Sequence, residues 1–182
     1  MTESSSPAQY YELVVPQQFA AMIAGASDDV LSQAELTATY VITGEGGGTY
    51  GLRAHGKEIE FVPGGIEGSD MLTTMTIENW RTGTENDGSD PFVGYVRRGK
   101  VEVVKSLKGT VRLELARDDG SVYESATIFG GEEEPAVTLR MNTDDYAAMM
   151  RGELNGQMAF MTGKLKFEGS LPLLMQIGSL SG

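Results

Sequence analysis

Alternation of hydrophobic and polar residues dominates the middle of the chain. Segments rich in β-branched and aromatic residues are separated by glycine-rich turns, a pattern typical of β-hairpins. The clearest turn is Asp118-Asp119-Gly120, which lies between two such segments. We predict strands at residues 37–43, 49–54, 57–62, 71–78, 92–98, 100–106, 110–116, 121–127, 136–141, 157–162 and 164–169.

Helical spacing of apolar residues is found towards the two ends of the chain. A first helix is predicted from Pro16, because Phe19, Met22 and Ile23 then share one face. Two further helices are predicted near the C-terminus, one capped by Thr143 and one capped by Ser170. The last of these has almost no polar side, so it must be buried on several sides or cover a cavity or a partner.

Two segments are expected to lack regular structure. Residues 1–12 are polar at their start and are expected to form a flexible tail. Residues 79–91 contain two glycines and end in proline, which predicts a long surface loop. The remainder, residues 13–182, is predicted to form a single domain.

A weak internal repeat relates residues 43–107 to residues 107–171. A constant offset of 64 pairs Gly99 with Gly163 and Lys100 with Lys164. Shared turn chemistry alone would produce some of these pairs, so duplication and coincidence both remain open.

Composition and charge narrow the classes of function. The net charge is −12 and the chain has no cysteine and a single histidine, His55. The acidic balance disfavours nucleic-acid binding. Thiolate chemistry is excluded, a histidine-based triad or zinc site lacks parts, and no metal or cofactor is expected. The longest apolar run is too short to span a bilayer, and without a signal-peptide pattern the expected location is the cytoplasm.

Methionine is concentrated in the last quarter of the chain. Six of the ten methionines lie from residue 141 onward: Met141, Met149, Met150, Met158, Met161 and Met175. Methionine is flexible and polarizable, and it suits both irregular cores and surfaces that receive variable hydrophobic ligands. The clustering favours the second interpretation.

The same region resembles the sterol carrier protein type-2 domain family. The stretch DDYAAMMRGELNGQMAFMTGKLKFEGSLPLLMQIGSL carries the family's late pattern of a capped helix, Asn-x-Gln, Ala-Phe, Gly-Lys-Leu-Lys and a hydrophobic terminal helix. The match is best over residues 138–180, and residues 37–54 are similar to the family's first hairpin. A partially duplicated strand region lies before the best-matching part.

The resemblance implies an α+β fold, in which a mainly antiparallel sheet covered by a few helices encloses a hydrophobic tunnel. It implies a soluble binding or carrier protein for a fatty acid, sterol, acyl chain or other lipophilic metabolite. By position, the residues expected to line the tunnel are Tyr146, Met149, Met150, Met158, Phe160, Met161, Leu171, Leu174, Met175 and Ile177.

Two other classes of function remain open from the sequence. An enzyme could use the same tunnel as a reaction chamber, for an isomerase, cyclase or hydrolase step, with a buried carboxylate or tyrosine of raised pKa. No residue is singled out as catalytic. Alternatively, the terminal helix could dock on a partner, including a second copy in a homodimer.

Overall fold

One sheet forms the framework of the molecule. The computed structural model describes residues 5–29, 31, 34–86 and 90–180. The strands of this part are β1 (Leu36–Thr43), β2 (Gly48–His55), β3 (Glu58–Pro63), β4 (Met71–Thr76), β5 (Gly109–Ala116), β6 (Val122–Phe129), β7 (Ala136–Asn142) and β8 (Lys166–Gly169).

All eight strands join in the order β3-β2-β1-β4-β6-β5-β7-β8. The pairs β1–β4 and β5–β7 are parallel, and the other five pairs are antiparallel. The prediction of an α+β fold with a mainly antiparallel sheet is therefore confirmed. The predicted strands at residues 37–43, 49–54, 57–62, 110–116, 121–127 and 136–141 are also confirmed, apart from small differences at their ends.

Helices precede the first strand, separate several of the later strands and follow the last one along the chain. An N-terminal helical segment, residues 7–23, consists of α1 (Pro7–Gln9), a π-helical stretch (Tyr10–Val14) and α2 (Val15–Ile23). The others are α3 (Ile77–Asn86), α4 (Pro91–Arg97), α5 (Val101–Ser106), α6 (Thr143–Met150), α7 (Gly156–Met161) and α8 (Leu171–Gly178).

The sheet has two halves of similar topology. In each half a hairpin, β1–β2 or β5–β6, is followed by a strand parallel to the first strand of the hairpin, β4 or β7. Two helices come next, α3 and α4 in the first half and α6 and α7 in the second. The halves meet where β4 pairs with β6, from Met71↔Phe129 to Thr74↔Ala126. Whether they arose by duplication of the sequence stays a prediction.

The helices α4 and α7 end in the same way. Each is followed by a glycine with positive φ, Gly99 at 68° and Gly163 at 78°. The next N–H, of Lys100 or Lys164, then donates to a carbonyl five residues earlier, at 2.9 and 2.8 Å. Only glycine adopts this backbone conformation readily, which explains the two Gly-Lys pairs 64 residues apart.

The expectation of a flexible tail is wrong for residues 7–12, which are helical. Tyr11 is 1% exposed, and its ring stacks on those of Tyr40 and Tyr50 with centroids 4.7 and 5.3 Å apart. Aromatic burial of this size outweighs the cost of ordering a polar terminal segment. The first four residues of the predicted tail lie outside the described residues.

The hairpin predicted at residues 92–98 and 100–106 is also wrong, because these residues form α4 and α5. Valine and tyrosine suggested a strand, but Asp90 caps the helix and Pro91 occupies its first position. Phe92, Val93 and Val96 are then buried together at helical spacing.

Helix α3 replaces most of the loop predicted at residues 79–91. Its glycine and threonines give it low intrinsic helix propensity. The burial of Ile77 and Trp80, at 2% and 4% exposure, supplies the tertiary contacts that favour it. Residues 87–89 of the predicted loop lie outside the described residues.

Burial of the N-terminal segment gives a direct test of its role. Replacing Tyr11 with Ala should lower the free energy of unfolding by about 3–5 kcal/mol, the usual cost of removing a large buried aromatic side chain. Urea denaturation followed by circular dichroism measures this change. Leu13→Ala is the matched control, because Leu13 is 54% exposed. Equal stability of the Tyr11 variant and the wild type would show that the segment does not hold the core.

Candidate functional site

The C-terminal helices are held by side chains at their first turns. Asn142 caps α6 by accepting a hydrogen bond from the Asp145 N–H at 2.7 Å, so the cap is one residue earlier than the predicted Thr143. Ser170 caps α8 as predicted, accepting from the Leu173 N–H at 3.2 Å. Asn155 caps α7 through the Gln157 N–H at 2.8 Å.

The last predicted hairpin, residues 157–162 with 164–169, is wrong in its first strand. Residues 156–161 form the helix α7, and only residues 166–169 form a strand, β8. The cap at Asn155 starts the helix, and Ala159 packs its inner side at 0% exposure. In a helix successive side chains point in different directions around the axis. Most side chains of residues 156–161 therefore do not lie on the buried side that Ala159 occupies.

The ten predicted ligand residues fall on three helices. Helix α6 carries Tyr146, Met149 and Met150, α7 carries Met158, Phe160 and Met161, and α8 carries Leu171, Leu174, Met175 and Ile177. Their exposure differs sharply. Met149 is buried and Tyr146, Met150, Leu174 and Ile177 are half-buried, whereas the other five are exposed.

These five side chains form what we call the exposed apolar set: Met158, Phe160, Met161, Leu171 and Met175. Their exposures run from 51% for Phe160 to 71% for Met161 and Met175. Among the described residues only Leu13 and Val122 are large hydrophobic side chains exposed to a similar degree. Neither α7 nor α8 carries a charged side chain. Such a concentration of exposed apolar groups is uncommon on a protein surface and makes these five residues candidates for a binding surface.

The inner sides of the two helices are firmly packed. Leu173 and Leu180 anchor the C-terminal end of the chain at 1% and 5% exposure. Phe160 of α7 contacts Phe167 of β8, with ring centroids 5.5 Å apart. Phe167, Leu173 and Leu180 were not among the predicted site residues. The available signal was the seven-residue spacing of Leu173 and Leu180, which is two helical turns, and the position of Phe167 opposite Leu139 in the sheet.

Neither of two surface clefts in the described part of the chain is lined by the predicted ligand residues. The first, about 350 Å³, lies at the end of β4 beside Thr43, Asn79 and Arg112. The second, about 390 Å³, lies at the end of β7 and includes Gly163 and Lys164, just after α7. The enclosed tunnel therefore stays a prediction.

A buried carboxylate lies in the first half of the molecule. Asp90 is 6% exposed, and its Oδ1 accepts hydrogen bonds from the Tyr40 hydroxyl at 2.6 Å and the Phe92 N–H at 3.0 Å. Burial raises the pKa of the Asp90 carboxyl, and the two hydrogen bonds lower it in part. Burial also raises the pKa of Tyr40 well above its usual value. These are the groups that an enzymatic function would need, but Asp90 lines neither cleft and its bonds are those of a helix cap.

The second half of the molecule, from the end of α4 to α8, carries all ten predicted ligand residues. Residues 97–181 match the SCP-2 sterol transfer family. The resemblance predicted from residues 138–180 is therefore confirmed, and it extends back through α5, β5 and β6.

Two curated relatives match a similar share of the chain. The Bos taurus protein "Hydroxysteroid dehydrogenase-like protein 2" is 32% identical over 87 residues, which are 43% of this chain and 21% of the relative. "Peroxisomal multifunctional enzyme A" of Dictyostelium discoideum is 37% identical over 80 residues, covering 44% of this chain and 18% of the relative. The chain thus spans about a fifth of the length of either relative.

Solved structures give weaker similarity. Sterol carrier protein 2 from Yarrowia lipolytica, in its apo form, is 22% identical and aligns with 43% of this chain and 70% of its own, at a TM-score of 0.36. The sterol carrier protein domain 2 of Helicoverpa armigera is 14% identical and aligns with 98% and 91%, at a TM-score of 0.24. The fold assignment therefore rests on the sheet topology. None of the described helices is long and apolar enough to cross a membrane.

The raised pKa of Asp90 predicts how stability depends on pH. A folded-state pKa above the ordinary 3.8 means that the folded protein holds this proton more tightly than the unfolded chain. The stabilisation from Asp90 is then complete below pH 3.8 and is lost as the pH rises through the folded-state pKa. Asp90→Asn keeps a capping oxygen and does not ionise, so the wild type should lose stability relative to this variant over that rise.

Urea denaturation of both proteins at several pH values measures the difference. A stability difference that does not change with pH would show that Asp90 has the same pKa in the folded and unfolded states.

Proposed function

We propose that this protein binds and carries a hydrophobic small molecule, such as a fatty acid, a sterol or another acyl chain. The observation that carries the proposal is the exposed apolar set, which lies within the part of the chain that matches the SCP-2 sterol transfer family. The ligand would lie against α7 and α8 and reach the half-buried residues of α6. Enclosure of the ligand in a tunnel, by a shift of these short helices, is part of the proposal.

The energetics favour an apolar ligand over a polar one. Transfer of a methylene group out of water contributes about 0.8 kcal/mol, so a chain of twelve carbons has ample driving force even after the cost of association. The exposed side chains of the protein also contribute to the free energy of binding, because contact with the ligand removes their apolar surface from water. Three of the five are methionines, which adapt to ligands of different shape.

Contrast between the two halves supports a single site. In the first half, α4 buries Phe92, Val93 and Val96 to 3% exposure or less, and α2 of the N-terminal helical segment packs against it. In the described part of the second half, the segment that precedes β5 is only the six-residue helix α5, which ends three residues before β5 begins. The apolar residues of α7 are therefore left for a ligand, whereas those of α4 are already covered.

The proposed site predicts the effect of a double variant. Met161 and Met175 are both 71% exposed, so replacing both with Gln should leave the free energy of unfolding within about 0.5 kcal/mol of wild type. Ligand affinity should fall about tenfold, because each contact contributes about 0.7 kcal/mol of apolar burial. Displacement of a fluorescent fatty acid measures the affinity. Leu13→Gln removes an apolar side chain that is 54% exposed and lies far along the chain, and it should leave the affinity unchanged. An equal loss of affinity in both variants would contradict the proposed site.

A single site also predicts the stoichiometry. Native mass spectrometry of the protein with excess dodecanoate or a sterol should show one ligand per chain, because the first half is covered by its own N-terminal segment. Two bound ligands per chain would mean that both halves are open, and no binding at micromolar concentration would remove the proposed function.

A further inference from the structure

The cleft at the end of β7 is unusual in a chain with this much negative charge. The chain has 26 acidic and 14 basic residues. The charged residues that line the cleft have the opposite balance, with three cations and one carboxylate: Arg140, Lys164, Lys166 and Glu114. The lining of the cleft is therefore richer in cations than in carboxylates, and two carboxylates outside the lining, Glu168 and Asp145, pair with Arg140 and Lys164.

Strand pairing explains why these residues meet. Arg140 of β7 is paired with Lys166 of β8, and paired residues on one face have Cβ atoms about 5 Å apart. Asn142, the last residue of β7, lies two positions from Arg140 and on the same side by the alternation of the strand, and Lys164 lies two residues before the start of β8. The four side chains thus form a compact block at the sheet edge. Asn142 and Lys164 also line the cleft.

Several donors of this block have no acceptor within the described part of the chain. Asn142 uses its side-chain oxygen to cap α6, which leaves its amide N–H groups open to the cleft. Arg140 donates from Nε to Glu114 at 2.7 Å and from Nη1 to Glu168 at 3.2 Å. Its Nη2 has no acceptor among the described residues. Lys166 forms no ion pair with any described residue.

Lys164 is only loosely engaged. Its Nζ lies 3.5 Å from the Asp145 carboxylate, and the Lys164 side chain is 50% exposed. At this distance and exposure the pair contributes little, so Lys164 can turn towards another anion at small cost. The chemical group that matches a cleft rich in donors and poor in acceptors is an anionic oxygen group, a carboxylate or a phosphate.

Part of the cleft lies directly after α7, the helix that carries three residues of the exposed apolar set. Gly163, which lines it, follows α7 directly, two residues after the exposed Met161. Lys164 is three residues after Met161, ~11 Å of chain at most, so a ligand chain against the last turn of α7 would end close to this side of the cleft.

We propose that the cleft formed by Arg140, Asn142, Lys164 and Lys166 receives the anionic head group of the ligand whose apolar chain lies on α7. This inference rests on the proposed function and narrows the ligand class to amphiphiles that end in a carboxylate or phosphate. Uncharged lipids of the same length bind without using the cleft.

Matched ligands separate the head group from the chain. Dodecanoate, dodecyl phosphate and dodecanol share a twelve-carbon chain, and their affinities are measured by isothermal titration calorimetry at pH 8 and low salt. Dodecanoate and dodecyl phosphate should bind more tightly than dodecanol. Their advantage should shrink at 0.5 M NaCl, because the contacts with the cleft are exposed to solvent. The stronger of the two anions identifies the head group.

A charge-matched pair of variants locates the effect. Lys164→Gln with Lys166→Gln should weaken dodecanoate about fivefold and leave dodecanol unchanged, as expected for two solvent-exposed charge contacts. Lys57→Gln with Lys108→Gln changes the net charge equally at two exposed positions outside the cleft, and should leave both ligands unchanged.

The outcomes distinguish the two proposals. If the cleft variant and the control weaken dodecanoate equally, or if dodecanoate and dodecanol bind the wild type equally well, the head-group site is overturned while the carrier function stands. If dodecanol and dodecanoate both fail to bind the wild type, the carrier function itself fails.

Discussion

Pairing between β4 and β6 is the constraint on which the rest of the structure depends. Each half of the sheet has a hairpin and a parallel strand, and this antiparallel pairing fuses the halves into one continuous sheet of eight strands. A sheet of this width has a long apolar face, and that face must be covered along its whole length. The first half is covered by the N-terminal helical segment together with α4. The second half has only short helices, and their outer apolar residues stay exposed.

Buried polar groups are found where the cover of the first half is assembled. Asp90 joins three elements, since its carboxylate binds Tyr40 of β1 and the first turn of α4, and its N–H donates to Gln18 of α2 at 3.3 Å. The stacked rings of Tyr11 and Tyr40 exclude water from this point. A carboxylate in such a place costs desolvation free energy, which its hydrogen bonds offset. These contacts fix the position of the N-terminal helical segment. Burial at this point explains the raised pKa of Asp90 without a catalytic role.

Elements with a clean sequence period could be predicted, and those that depend on tertiary contacts could not. The alternation in β1 to β7 identifies the strands because one face is buried. Helices α4 and α5 were mistaken for strands, since valine and tyrosine favour extended structure where nothing else is known. The start signal Asp90-Pro91 was present and was the better guide. Tyr11 illustrates the opposite case, because a polar terminal segment gives no local sign that two tyrosines of the sheet will receive it.

The candidate site residues stay a prediction, and the form of the surface that they make could not be predicted. The methionine clustering and the family resemblance pointed to residues that lie on α6, α7 and α8, and two of these helices, α7 and α8, carry the exposed apolar set. Periodicity shows which residues share a face, however, and does not show whether anything covers that face. The donor block of Arg140 and Lys166 was missed for a related reason, since it requires the register between β7 and β8.

The brevity of β8 has a consequence for how such a surface is tolerated. This edge strand has four residues, and its outward side chains, Lys166 and Glu168, are charged. Short, charged edges discourage the addition of foreign strands. The exposed methionines lie instead on helices, whose backbone groups are largely satisfied within the helix. At this edge the molecule therefore has exposed apolar side chains nearby without offering a template for the addition of a foreign strand.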